Sequence, residues 1–221
     1  MRFPNAFKGL RRLYVAEILQ LIDAAVLLLF HAITALISDT SSREVSLFIG
    51  FLLLAALATT FVIPFFAILI QLSGLKKAGK DEEMFRRAHY VAVFQLLTIL
   101  AGGLLSFTGL DESMIADATG SVSWVIRAYT IWYVCAGIES LMRQCGEISL
   151  ARHRKIVAIV TSVAITLCFW SDLVPAFFRG QDMNGFDTFT KLGSSLFLVI
   201  AEVMYLSYIR KAKLVLKNET E

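Results

Sequence analysis

Proline, cysteine and histidine are scarce, three of each in 221 residues. A proline inside a helix removes a hydrogen bond and kinks the chain, so their rarity leaves long stretches free to be helical. Cys135, Cys145 and Cys168 form no CxxC and fall in or beside apolar runs. They support neither a disulfide framework nor a zinc site, and read as small buried residues. His31, His89 and His153 fall at an outer edge, an inner interface and a loop, so no metal or cofactor is expected. HExxH, GxSxG and a Gly-rich phosphate loop are absent too, which excludes the common hydrolase, zinc-peptidase and nucleotide-binding signatures. Charge is also thin, at 18% of residues against 57% hydrophobic. Soluble domains average about 45–50% apolar and about 25% charged. With a mean hydropathy of +0.69, the chain reads as an integral membrane protein forming a single transmembrane domain over 1–221.

What is present is a series of apolar runs at helix-length spacing. The pattern predicts an all-α, polytopic bundle of six transmembrane helices near 13–38, 45–73, 88–108, 122–145, 156–178 and 188–209. The first follows Arg2, Lys8, Arg11 and Arg12, but its core is too long and too acidic for a signal peptide, so an uncleaved span is expected. Ser41 with Glu44 forms a capping-box start for the second, and Pro64 predicts a tilt or kink within it. Asp81, Glu82 and Glu83 suit the first turn of the third. Lys and Arg are retained on the cytoplasmic side of short loops. Four precede the first span, five lie in 74–87, four around 143–155 and four after 209, seventeen of the twenty-one. Both termini are therefore expected in the cytoplasm of a multi-pass cell-membrane protein. The basic loops 76–87 and 152–155 could contact anionic lipid headgroups, each residue contributing about 1 kcal/mol; nucleic acid is not needed to explain them.

Polar residues recur on one face of several spans. In the first, Glu17, Gln20, Asp23, His31, Thr34 and Ser38 fall in one arc of about 120° at 100° per residue. In the last, Thr188, Lys191, Ser194, Ser195, Glu202 and Tyr205 do the same, and in the third Gln95, Thr98, Gly102 and Ser106. Such stripes are compatible with lipid only if they converge on a polar seam. Counting depth along the predicted spans pairs Arg127 with Asp172 toward the outside, and Glu139 with Arg143 at i,i+4 spacing on one helix. Asp23 and Glu202 are left without a basic partner at their own depth, and a carboxylate unpaired in low dielectric holds its proton. The seam candidates are thus Asp23, Glu202, Glu17, Gln20, His31 and Gln95, with the two arginine pairs as structural contacts. Tyr14, Tyr90, Trp124, Trp170, Tyr205 and Tyr208, near span ends, are expected as interfacial anchors, and Gly102-Gly103 as a site of close helix approach.

Glu139-Ser-Leu-Met-Arg143 is similar to part of the motif of intramembrane CAAX-type proteases, but it lacks their doubled glutamate and downstream histidines. No catalytic residue is assigned. Six spans in about 220 residues with both ends inside resemble, in size and topology, the substrate-binding components of energy-coupling-factor vitamin transporters, without a shared motif. Phe7–Tyr14 and Gly74–Phe85 resemble segments of small bacterial membrane proteins, which implies a bacterial inner membrane. The expectation is a small-solute or cation/proton-coupled transporter or transporter component. The alternative is a non-catalytic membrane subunit, sensor or scaffold whose polar stripes hold helices, a partner membrane protein or a second copy together.

Overall fold

Pro4 opens the first helix, because its fixed φ and missing N–H suit a first helical position. Asp81, distant in sequence, completes that start. Its carboxylate accepts the backbone N–H groups of Asn5 and Ala6 at 2.8 and 2.7 Å and the Asn5 side-chain amide at 2.8 Å, meeting donors that a helix N-terminus leaves free. A computed structural model describes residues 3–37, 62–105, 112–177 and 184–219. These form helices α1 (Pro4–Ile37), α2 (described over 62–78), α3 (Glu83–Leu105), α4 (Glu112–Gln144), a short α5 (Ile148–Arg152), α6 (Arg154–Phe177) and α7 (Asn184–Asn218). No strand occurs among the described residues.

Four helical stretches in the described residues, Pro4–Ile33, Glu83–Leu105, Ile148–Ser171 and Phe189–Asn218, are long and apolar enough to cross a membrane. Several helices outrun the apolar runs that reveal them. α1 begins at Pro4 rather than near 13, α4 at Glu112 rather than near 122, and α7 continues to Asn218 rather than 209. Hydropathy falls off at Lys8, Arg11, Arg12, Lys211 and Lys213, yet lysine and arginine are good helix formers, so the helix outlasts the hydrophobicity. α1, α4 and α7, at 34, 33 and 35 residues, are each about 50 Å long, against about 30 Å of hydrocarbon. Ser41, Glu44 and the chain before Val62, on which the capping-box and kink expectations depend, lie outside the described residues.

α1 packs on α7, α3 on α4, and α6 against both α4 and α7. α1 and α2 meet at glycines. A Cβ on Gly9 would lie 2.6 Å from the Ala78 Cβ and 2.7 Å from the Gly74 carbonyl, and one on Gly74 would lie 2.9 Å from the Gly9 carbonyl. Gly102 faces Thr119 of α4 equally closely, whereas its neighbour Gly103 faces open space. α4 ends in a Schellman turn: Gly146 takes φ 82°, the Glu147 N–H donates to the Met142 carbonyl at 2.8 Å and the Gly146 N–H to that of Arg143 at 3.2 Å. Only glycine takes that conformation without cost.

Tertiary contacts gather the basic segments at one end of the bundle. Asn5 meets Asp81, the Ser140 hydroxyl donates to Glu82 at 2.8 Å, Arg154 meets Glu139 at 2.5 Å and Lys213 lies 4.1 Å over the Tyr14 ring. The start of α1, the turn at 79–82, the end of α4 and the last turns of α7 therefore share one face.

The glycine crossing has a direct consequence. Gly9→Val is expected to lower the unfolding free energy by about 1–3 kcal/mol through overpacking, while Gly103→Ala, in open space, costs nothing. Thermal unfolding of the two purified variants in detergent checks the contrast.

Candidate functional site

A single guanidinium gathers the interior charges of three helices. Arg127 on α4 donates through Nη2 to Glu202 of α7 at 2.5 Å and to Glu17 of α1 at 3.3 Å. The Gln71 amide on α2 completes the cluster, 3.4 Å from the other Glu17 oxygen. All four residues are buried, with 4% of Arg127, 2% of Glu202, 1% of Gln71 and none of Glu17 exposed. Tyr205, one helical turn from Glu202, is fully buried and within electrostatic reach of Glu17, Arg127 and Glu202.

Local geometry explains the convergence. Glu17 lies thirteen residues into α1, Arg127 seventeen residues before the end of α4 and Glu202 sixteen before the end of α7. At 1.5 Å per residue these are about 20, 25 and 24 Å from the shared basic end. The three charges therefore meet at one level, inside helices that continue well beyond it in both directions.

Glu17 and Glu202 are the described partners of Arg127, where the sequence pattern pairs it with Asp172. α4 starts at Glu112 rather than near 122, so Arg127 lies about 22 Å from its first residue, while its distance from the basic end is as the predicted end near 145 gives it. The side chain of Asp172 lies outside the described residues. Glu202, expected to lack a basic partner, has one. Tyr205 and Tyr208, expected as interfacial anchors, are buried at 0% and 3% exposure.

The remaining candidates fall at different places. Asp23, half-buried on α1, is within electrostatic reach of Arg127, and Gln20 is half-buried on the same helix. His31 is fourteen residues beyond Glu17, about 21 Å along the axis, where its Nδ1 lies 2.9 Å from the Ser195 hydroxyl of α7. Gln95 is buried on α3, and its Oε1 has no partner among the described residues. Glu139 meets Arg143 at 2.8 Å and also Arg154, whose guanidinium stacks 5.3 Å from the Trp132 ring centroid. Ser194 donates to Ser171 at 3.1 Å, joining α7 to α6. Gln71 is the residue that sequence reasoning missed. Its signal is a lone amide within the apolar run Ile63–Leu72, and Tyr205 carried a signal as well, being three residues from Glu202 in the polar arc of α7.

Electrostatically the cluster is one positive charge short. Two carboxylates share one guanidinium, and among the described residues four polar atoms remain without a hydrogen-bond partner: Arg127 Nη1, Glu202 Oε2, Gln71 Oε1 and the Tyr205 hydroxyl. The cluster can thus take up a proton or small cation on oxygen, or present donors and acceptors to a polar solute.

Comparison of the chain with protein-family models, with curated proteins and with solved structures finds no match, so these residues alone carry the functional argument.

Removing the shared cation tests the cluster as a unit. Arg127→Met leaves two buried carboxylates face to face and is expected to cost about 3–5 kcal/mol of stability. Adding Glu17→Gln and Glu202→Gln to that variant should restore most of the loss. Unfolding titrations of the single and triple variants measure both steps.

Proposed function

We propose that the chain is a six-span protein of the cell membrane, with both termini in the cytoplasm, that moves a small solute or cation coupled to charge uptake at Glu17, Arg127 and Glu202. The orientation is supported by the basic end: the segments gathered there carry most of the lysines and arginines, the side retained in the cytoplasm. The observation that carries the functional reading is the charge count of the cluster. An ionised group at mid-bilayer costs roughly 3 kcal/mol by insertion scales, so a surplus carboxylate there demands a proton or a cation. Coupled transport uses such a demand, because filling or emptying the site changes which helix arrangement is favoured. Asp23, one and a half turns beyond Glu17 on α1, extends the polar seam away from the basic end.

A second reading has its own support, because the cluster ties α1, α2, α4 and α7 together while almost wholly buried. On that reading the protein is a non-catalytic membrane subunit or scaffold and the charges hold its helices.

A thermal-shift screen of the purified protein against metabolites, vitamins and monovalent cations, at acidic and neutral pH, separates the two. A ligand at about one hundred times its Kd stabilises by about 2.7 kcal/mol. The transport reading predicts a specific hit that disappears in Glu202→Gln, with uptake of that compound into proteoliposomes lost in the same variant. Near-normal uptake by folded Glu202→Gln would contradict it.

A further inference from the structure

The turn joining α2 to α3 forms an open pocket of about 470 Å³ lined by Lys76, Gly79, Lys80, Arg86, His89 and Tyr90. Three acidic residues flank the pocket, and two of them are engaged elsewhere. Asp81 caps α1, Glu82 accepts from Ser140, and Glu83 holds Arg87 at 2.9 Å and Arg86 only at 3.7 Å. No described carboxylate pairs with Lys76 or Lys80. His89 adds its ring to the lining and is hydrogen-bonded to the Leu72 backbone. The pocket is therefore a cationic concavity: three basic side chains line it, and of the neighbouring carboxylates only Glu83 reaches one of them, Arg86.

Directly beyond the pocket, α3 turns apolar and outward. Tyr90, Phe94, Leu97 and Leu104 follow one another at helical spacing and are 60, 63, 53 and 70% exposed. Tyr90 belongs to both surfaces, lining the pocket and heading the stripe, as expected of an aromatic residue at headgroup level. A phosphate seated against Lys76, Lys80 and Arg86 would have an apolar chain track beginning one turn away. A free anion has no use for that track, whereas a lipid needs both parts.

We propose that this pocket binds the phosphate headgroup of one anionic phospholipid, with its acyl chain lying along Tyr90, Phe94 and Leu97 of α3. The site is separate from the buried cluster and does not depend on the transport reading. Native mass spectrometry of the full-length protein in detergent, with phosphatidylglycerol and phosphatidylcholine as probes, tests it. The expected result is one tightly retained phosphatidylglycerol, with apparent affinity falling about tenfold or more in Lys76→Gln/Lys80→Gln/Arg86→Gln. Binding should be kept in Lys76→Arg/Lys80→Arg and in Arg152→Gln/Lys155→Gln, which removes two positive charges elsewhere on the basic end. Equal retention of phosphatidylcholine, an equal loss in the Arg152/Lys155 variant, or unchanged binding in the triple variant would overturn the proposal. Displacement of the lipid by millimolar inorganic phosphate would also overturn it, by identifying a free-anion site.

Discussion

A guanidinium inside an apolar bundle must be met by negative charge, and Arg127 is met twice. That sharing sets much of the remaining architecture. Glu17 and Glu202 can reach one nitrogen only if α1, α4 and α7 cross at the same level, and the Gln71 contact brings α2 to the same point. In low dielectric the arrangement is sensitive to every member. Removing one partner leaves an uncompensated charge, which is far more costly than the net gain from forming the cluster. Polar contacts elsewhere in the bundle, such as His31 with Ser195 and Ser194 with Ser171, each join only two helices.

Around this point the helices are held by close approach and by caps at their ends. Glycines bring α1 against α2 and α3 against α4 at distances that a side chain would prevent. At the basic end, Asp81 holds the start of α1 and Glu82 holds Ser140 of α4, so the short turn that joins α2 to α3 also ties in α1 and α4. The same engagements leave Lys76, Lys80 and Arg86 facing a pocket at the edge of the apolar surface. Charge thus has two separate settings in one molecule, a sealed cluster in the interior and an open basic rim.

Much of this could be read in the sequence, and what could not has a physical reason. The membrane class follows from composition, and the acidic members of the cluster follow from 100° periodicity, because Glu17 and Glu202 stand out in apolar helices. Glu139 and Arg143 are neighbours by i,i+4 spacing alone. The start of α4 is harder to read, because Glu112 and Asp117 make its first turns look like a loop, and an error of ten residues at that end changes the length of the helix by about 15 Å. The second partner of Glu139, Arg154, comes from packing across a turn and has no local signature. Gln71 is one amide among aliphatic residues, and only the arrangement of four helices shows what it faces.

The most direct measurement is solid-state NMR of the protein in lipid bilayers, with nitrogen-15 in the arginine guanidinium groups and carbon-13 in the aspartate and glutamate carboxyls. The account predicts one guanidinium coupled to two carboxyl carbons, with one coupling vanishing in Glu17→Gln and the other in Glu202→Gln. A guanidinium of Arg127 that couples instead to Asp172, or that keeps both couplings in those variants, would contradict it.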